Sequence, residues 1–503
     1  TRPGNAFLHT NTYGGNKLAL RKVRAGLLRR FEPGSPVLTT VARAESDRDL
    51  VLDLYGRHVN AATAKVHRML RGALNIVRAE GARVTVELDS GRRLDLVDGV
   101  SGGGLGVGGH NPDDARTEVL RGHDPDTDYT AKLEGALARE TGLARTFPGV
   151  SGASAVETAL TLALLAQRQG QQRRRRIIVF DHNYGGKTLI SLLATAAAGS
   201  REPFAPLYDG VRYLDPFAPD AAERLHAELA SNEVALVWLE LVHGSSDSYA
   251  TLPADLLGIV ARERERQGFL VGVDEILTSF YRCGPRFAFH GRLPEVDLMT
   301  VSKALSYLCF PVSAAVVSES VYERARAANP RLVDELKERY AHPLGAHFAV
   351  HSLAQVDALD LAGRSAALAN DLCAAVAAVD AESRTIGRRF IEGLFVRLEM
   401  KPPQLPGRLA DRAGELSMIS VILWWITRAR VFVLYDCFGP HQISGPEEAA
   451  RITEGIRALA TKSPYGLLRD AAAFLATEAV LSRWNGRRRR RRAGAFPTPS
   501  GTP

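Results

Sequence analysis

Apolar residues along this chain follow two rhythms. Short, near-continuous apolar runs occur at Ile177–Phe180, Val234–Leu239, Phe269–Val273, Leu298–Val301 and Ser313–Val317. Between them lie stretches with the three-to-four-residue spacing of amphipathic helices, among them Ala153–Ala166 and Ala254–Gln267. Runs of the first kind are strands buried on both faces, and their alternation with helices predicts an α/β fold on a mostly parallel sheet. Upstream, Arg83–Leu88 alternates as a strand, Asp89-Ser90-Gly91 supplies a turn, and Arg93–Val97 reads as the return strand of a hairpin. Residues 1–75 read as an N-terminal helical extension, with amphipathic patches from Ser46 to Leu74. The glycine-rich stretch Val100–Gly109 is expected to be a loop, and Val356–Ala460 a smaller α+β unit. No internal repeat is evident.

Composition narrows the class. A chain of 503 residues, 45% hydrophobic and 24% charged, buries a large core and is expected to form two or three domains. It has no apolar run of the roughly 18 residues that a membrane span needs, and no basic-then-apolar leader, so a cytoplasmic protein is expected. Cys283, Cys309, Cys373 and Cys437 are scattered without C-x-x-C spacing. That spacing argues against a zinc site or disulfide framework, and no metal is expected. The net charge of +8 gathers in two runs, Arg173–Arg176 and Arg487–Arg492, neither with interleaved aromatics. The first reads as a solvated turn and the second as part of a disordered tail, so nucleic-acid binding is not the expected function.

Candidate chemistry sits at strand ends. Lys303 follows the apolar strand Leu298–Val301, and Asp274, 29 positions earlier, closes another. With nine lysines against 55 arginines, a lysine at this place is less readily a product of composition. A lysine so placed can form a Schiff base with an aldehyde cofactor while an aspartate keeps a pyridine nitrogen protonated, a pairing that points to pyridoxal phosphate. The segment Phe147–Glu157 leaves a loop and opens a helix, turning free N–H groups and the positive end of the helix dipole toward whatever lies above Ser151 and Gly152. It also reads as an ordinary capped helix start, with Ser151 or Ser154 as N-cap and Glu157 completing a capping box. A third element, His182-Asn183-Tyr184-Gly185-Gly186-Lys187-Thr188, follows the strand Ile177–Phe180 and offers the Tyr184 ring for stacking on a flat heterocycle.

In this order the motifs resemble the class III aminotransferases of the fold type I pyridoxal phosphate enzymes, the group that includes ornithine and 4-aminobutyrate aminotransferases and glutamate-1-semialdehyde aminomutase. The resemblance runs from about Gly81 to about Ala460. Leu94–Gly99 with Gly109-His110-Asn111-Pro112 looks like the family's N-terminal hairpin and Gly-His segment, and Ser151–Glu157 like its phosphate loop. The run from Asp274 to Gly284 looks like its Asp-Glu-Val-x-Thr-Gly-Phe-x-Arg-x-Gly motif, and Pro294–Val317 like the segment that carries the cofactor lysine.

The resemblance implies a large domain with a mostly parallel seven-stranded sheet and a smaller α+β C-terminal domain. It divides the chain into an extension (1–75), a hairpin segment contributing to the small domain (76–130), a large cofactor-binding domain (131–355), a small domain (356–465) and a C-terminal helix with an arginine-rich tail (466–503). It implies pyridoxal 5'-phosphate bound covalently to Lys303, with Asp274 on the pyridinium nitrogen. Ile276 and Tyr184 would pack on the two ring faces, and Ser151, Gly152 and Ala153 would surround the phosphate. Glu240 and Glu275 would orient neighbouring groups or serve only as structural hydrogen-bonding residues. A homodimer with its active site at the interface is implied as well.

The chain departs from the family at Leu277, where many members have glutamine, at Gly185 (histidine), Ser279 (glycine) and Leu241 (proline). Pro343 stands where relatives place a threonine that reaches the partner's phosphate, with His342 or His347 as substitutes. Val431–Gly439 lacks a counterpart of the arginine that holds a substrate carboxylate. The expected activity is an aminotransferase or aminomutase acting on an amino acid or amine in specialised metabolism. The alternatives are a β- or γ-replacement or carbon–carbon bond-forming (annulation) enzyme, using an amino acid such as S-adenosylmethionine and a second, phosphorylated substrate, and a non-catalytic relative.

Overall fold

A computed structural model describes residues 17–101, 107–110, 113–168, 174–244, 250–307, 310–379, 383–434 and 437–493. Cys309, Asn111, Pro112, Arg173 and the tail beyond Ala493 therefore lie outside the described residues. At its centre is a seven-stranded sheet. Across it the strands run Arg145–Gly149, Ser313–Val317, Leu298–Val301, Leu270–Asp274, Val234–Leu239, Arg176–Phe180 and Val211–Leu214. Ser313–Val317 is antiparallel to both neighbours, and the other six strands point the same way.

Alternation along each strand feeds two cores. Ile178, Phe180, Val237, Leu239, Val271 and Val273 pack on one face with Leu133, Leu256 and Phe348 from flanking helices. Ile177, Val179, Leu236, Trp238 and Leu270 pack on the other with Val156, Leu160 and Ala163 of the helix Gly152–Ala166. Burial on both faces is why these strands read as unbroken apolar runs. Gly272 is required where Trp238 crosses it, since a Cβ there would lie 2.6 Å from Cε3 of the indole.

A second group of elements lies around another apolar cluster. The hairpin Arg83–Glu87 and Arg93–Asp98 forms as its pattern predicts, gains Ile76–Glu80 on one side, and pairs in parallel with Val431–Phe432 on the other. Val84, Leu96, Trp425, Phe432 and Ile452 share that cluster, so the early hairpin is packed with late sequence. Residues 17–69 form four helices, Lys17–Arg30, Pro36–Ser46, Arg48–His58 and Ala61–Met69. The last described element is the helix Pro464–Ala493, which takes in positions 487–492, expected from the sequence to be part of a disordered tail.

Candidate active site

All six parallel strands present their carboxyl ends at one edge of the sheet, where ligands bind in open α/β folds. Ser151 follows Gly149 there, Tyr184 follows Phe180, Glu240 follows Leu239, Asp274 ends its own strand and Lys303 follows Val301. The fold thus brings every expected site residue to the same rim.

At the helix Gly152–Ala166, Ser151 is the N-cap. Its Oγ accepts the Ser154 N–H at 3.2 Å, and Ser154 Oγ accepts the Ser151 N–H at 3.1 Å. The capping box is therefore Ser151 with Ser154 and does not use Glu157, whose carboxylate instead accepts the Thr188 hydroxyl at 2.9 Å. Ser313 Oγ donates to the Ser151 carbonyl at 2.7 Å and fixes the loop to the neighbouring strand. The N–H groups of Gly152 and Ala153, first in the helix, take no part in the hydrogen bonds of the described residues. Two donors and a helix dipole point outward, a site for a dianion.

Tyr184 stands beside this helix start. Gly186 (φ 131°) lies so close to Ala153 that a Cβ would come within 2.7 Å of the Ala153 Cβ. At Gly185 a Cβ would meet the Ala194 Cβ at 2.5 Å, which is why the histidine of relatives has no room. Thr195 braces the turn, its Oγ1 accepting the N–H groups of Gly185 and Gly186 at 3.0 and 3.2 Å and donating to the Gly186 carbonyl. Glu240 accepts the Tyr184 N–H at 2.9 Å and the Gly244 N–H at 3.3 Å. Burial, with repulsion from Asp274 next, pushes the Glu240 carboxyl up to about 8.

Asp274 is buried. Its Oδ1 accepts the Ile276 N–H at 3.0 Å, while its Oδ2 has no hydrogen-bond partner; the Thr300 hydroxyl, across the strand pair, lowers the carboxyl's pKa without closing a well-formed hydrogen bond. Burial raises the Asp274 carboxyl to about 6. A buried acceptor without a donor costs about 1–3 kcal/mol, so Oδ2 is matched to a group from outside the chain. Lys303 opens the short turn Lys303–Ser306 with φ 40°, a left-handed conformation unusual for a side-chain-bearing residue. Desolvation lowers its ammonium pKa, opposed by the charges of Asp274 and then Glu240, which places amine and carboxyls within electrostatic reach. Ile276 abuts Gly152, linking the aspartate's loop to the helix start.

Glu275 bonds within the loop that follows Asp274. It is fully buried, accepts the Phe289 N–H at 2.8 Å and the Thr278 hydroxyl, and so closes the loop after Asp274; burial raises it to about 7. Leu277 packs against Gly244, and Ser279 and Leu241 are buried. Pro343 is the first residue of the helix Pro343–Ala358. His342 caps that helix, its Nδ1 accepting the Gly345 N–H at 3.2 Å, and His347 Nε2 donates to the Val119 carbonyl at 2.9 Å. Both substitutes for the missing threonine are thus engaged within the chain.

One cluster escapes sequence reading. Asp98 Oδ2 receives His110 Nε2 at 2.6 Å and His441 Nε2 at 3.1 Å, three residues drawn from opposite ends of the chain. Their ligand atoms lie within 4.8 Å of one another, close enough to hold a metal ion. The two imidazoles already satisfy the carboxylate oxygen, and Arg282 adds positive charge at His441, which opposes a further cation. Burial works against the charged Asp98, but hydrogen bonds from His110 and His441 outweigh it and hold the carboxyl well below its usual range. Cys283 and Cys373 are free thiols, and no described helix is long and apolar enough to cross a membrane.

The fold has counterparts among known proteins. Solved structures with the same fold include an amine transaminase from an uncultivated Pseudomonas species, in its PLP-bound form (TM-score 0.65, 20% identity, covering 76% of this chain and 94% of that one). Another is the ornithine aminotransferase of Toxoplasma gondii (TM-score 0.62, 20% identity, 77% and 90%). In sequence, the acetylornithine aminotransferase of Archaeoglobus fulgidus is 32% identical over 261 residues, covering 50% of this chain and 66% of the relative, slightly under two thirds of its length. The adenosylmethionine-8-amino-7-oxononanoate aminotransferase of Synechococcus elongatus is 30% identical over 312 residues, 56% of this chain and 71% of the relative. The pattern of the family described as Aminotransferase class-III matches residues 65–416. The chain belongs to the class III aminotransferases, a family of pyridoxal phosphate-dependent transferases.

Proposed function

We propose that the protein is a pyridoxal phosphate-dependent aminotransferase that moves an amino group between an amino acid or amine and a carbonyl compound. The observation that carries this reading is the partnerless, buried Oδ2 of Asp274 at the same strand-end rim as the amine of Lys303. The residues fit the cofactor: Gly152 and Ala153 N–H groups for its phosphate, Asp274 for its ring nitrogen, Ile276 and Tyr184 for its ring faces, Lys303 for its aldehyde. When bound, the cofactor supplies an electron sink for the bond-breaking step.

The chain's own residues supply the rest. Asp274 holds a proton on the ring nitrogen with its buried Oδ2, which has no well-formed hydrogen bond of its own and only the Thr300 hydroxyl nearby. Lys303, its pKa lowered by desolvation, is a neutral amine at a lower pH than an exposed lysine and is thus suited to carry a proton to and from the substrate carbon. Glu240 orients the Tyr184 backbone and, with its pKa raised, adds little negative charge near neutral pH. Work in specialised metabolism belongs to the same proposal, supported by the departures at Pro343, Leu277 and Val431–Gly439, and so does a homodimer, supported by membership of the class III family.

The test is the absorbance spectrum of the holoenzyme with single amines and amino acids, S-adenosylmethionine included, and no amino acceptor. Accumulation of pyridoxamine phosphate with one donor is expected. Substrate-dependent spectral change that returns without pyridoxamine phosphate would favour replacement or carbon–carbon bond chemistry instead.

A further inference from the structure

The turn that carries Lys303 is held by groups the chemistry above does not use. Lys303–Ser306 begins with a left-handed residue, Lys303 at φ 40°, and is followed by another, Tyr307 at φ 53°. A buried aromatic residue in that region costs on the order of 1–3 kcal/mol and persists only where its surroundings impose it. Here the helix Pro343–Ala358 imposes it. Ser352 Oγ donates to the Ala304 carbonyl at 3.0 Å, inside the turn itself. One residue earlier on the helix, His351 Nδ1 shares a 2.8 Å hydrogen bond with the Tyr307 hydroxyl. His351 Nε2 in turn faces Glu118 Oε1 at 3.5 Å, from the helix Asp113–Arg121. That carboxylate favours the N–H on Nε2, which leaves Nδ1 as the acceptor for the phenol. The line runs from a phenol 3% exposed to a carboxylate 71% exposed, and nothing in the cofactor chemistry requires it.

We propose that Tyr307, oriented by His351 and Glu118, is a positioning residue that sets the strained Lys303 turn so that the lysine amine meets the cofactor aldehyde. The inference rests on the cofactor reading given above. Tyr307 acts through the backbone of the turn, so its hydroxyl governs how fast the lysine reacts and not how tightly the phosphate is gripped. Ser302 and Ser306, bonded to the Val312 and Phe310 carbonyls at 3.3 and 2.6 Å, close the far side of the loop and leave the phenol to fix the near side.

The experiment reconstitutes cofactor-free protein with pyridoxal phosphate and follows three quantities: the rate at which the Schiff-base band appears, the affinity read by quenching of protein fluorescence, and the thermal midpoint. Tyr307→Phe, which removes one oxygen and keeps the ring, is expected to slow the band by about tenfold or more while affinity stays within about twofold. His351→Asn, which keeps an acceptor near the Nδ1 position, is expected to recover most of the rate lost in His351→Ala. A wild-type rate in Tyr307→Phe would overturn the proposal. So would a parallel fall of rate, affinity and thermal midpoint, which is the mark of a merely structural residue. If the wild-type protein itself forms no Schiff base, the cofactor reading falls and the proposal falls with it, an outcome distinct from failure of the Tyr307 variant alone.

Discussion

A Cβ on Gly152 would stand 2.8 Å from the Cδ1 of Ile276, so the first helical residue after the N-cap and the side chain two positions beyond Asp274 share one surface. The phosphate end and the ring end of the proposed cofactor site are thereby set against each other. Ser313 strengthens the link from the adjoining strand by donating to the Ser151 carbonyl.

Gly152→Ala follows from that contact. The clashing atom is the far end of a flexible side chain, and alanine suits a helix, so the variant should fold with a near-parental thermal midpoint. Ile276 is expected to move and pyridoxal phosphate affinity to fall by about tenfold, a cost of roughly 1.4 kcal/mol. The double variant Gly152→Ala/Ile276→Val should regain most of it, as read by fluorescence titration. Unchanged affinity in the single variant would separate Ile276 from the cofactor.

For Asp274→Ala the phosphate contacts remain, so the cofactor should still bind. Proton removal from the substrate should slow by about 10²–10⁴, the scale expected when the electron sink loses its ring proton. Single-turnover absorbance with a competent donor measures it, and wild-type turnover would remove the assigned role.

The buried carboxyls predict how cofactor-free protein responds to pH. Glu240 and Glu275, ordinarily near 4.5, are raised to about 8 and about 7, and Asp274 from 3.8 to about 6. Above the ordinary value the unfolded chain releases these protons while the folded chain keeps them. Stability therefore falls as pH rises from about 4.5 toward 8, by up to roughly 1.4 kcal/mol per pH unit for each group inside its window. Urea unfolding at pH 5.5 and 8 should show the loss, reduced in Glu240→Gln; equal stability at both pH values would contradict it.

Asp98→Asn should be strongly destabilising. It removes the charge that two imidazoles share and leaves buried donors poorly matched, which costs about 3–5 kcal/mol when one partner of a buried pair is lost. The thermal midpoint is the readout. Because His110 is 17% exposed at its side chain while His441 is 1%, His441→Ala should cost more than His110→Ala.

Much of this architecture is legible in the sequence because the central strands are buried on both faces and so carry unbroken apolar runs. The two strands that escape, Arg145–Gly149 and Val211–Leu214, are the outermost of the sheet. Edge position lets the first contain Pro148 and Gly149 and leaves the second half-buried, which erases the pattern. The site shows the same division. Lys303, Asp274, Glu240 and Tyr184 are legible because each follows directly from a strand end. Ser313 and His441 are not, because their contacts arise only when distant segments meet: Ser313 reaches Ser151 across 162 positions and His441 reaches Asp98 across 343. Thr195 is missed although it bonds to Gly185 and Gly186 nearby, because the irregular turn between them carries no apolar rhythm. Glu157 is the instructive error, a well-spaced capping residue displaced by the nearer hydroxyl of Ser154.

Lys303 is the lysine proposed to carry the cofactor. Borohydride reduction of protein loaded with pyridoxal phosphate, followed by proteolysis and mass spectrometry, tests that role most directly. The phosphopyridoxyl mass is predicted on the peptide containing Lys303, and none should remain in Lys303→Ala. Label on another lysine, or undiminished label in that variant, would contradict the account.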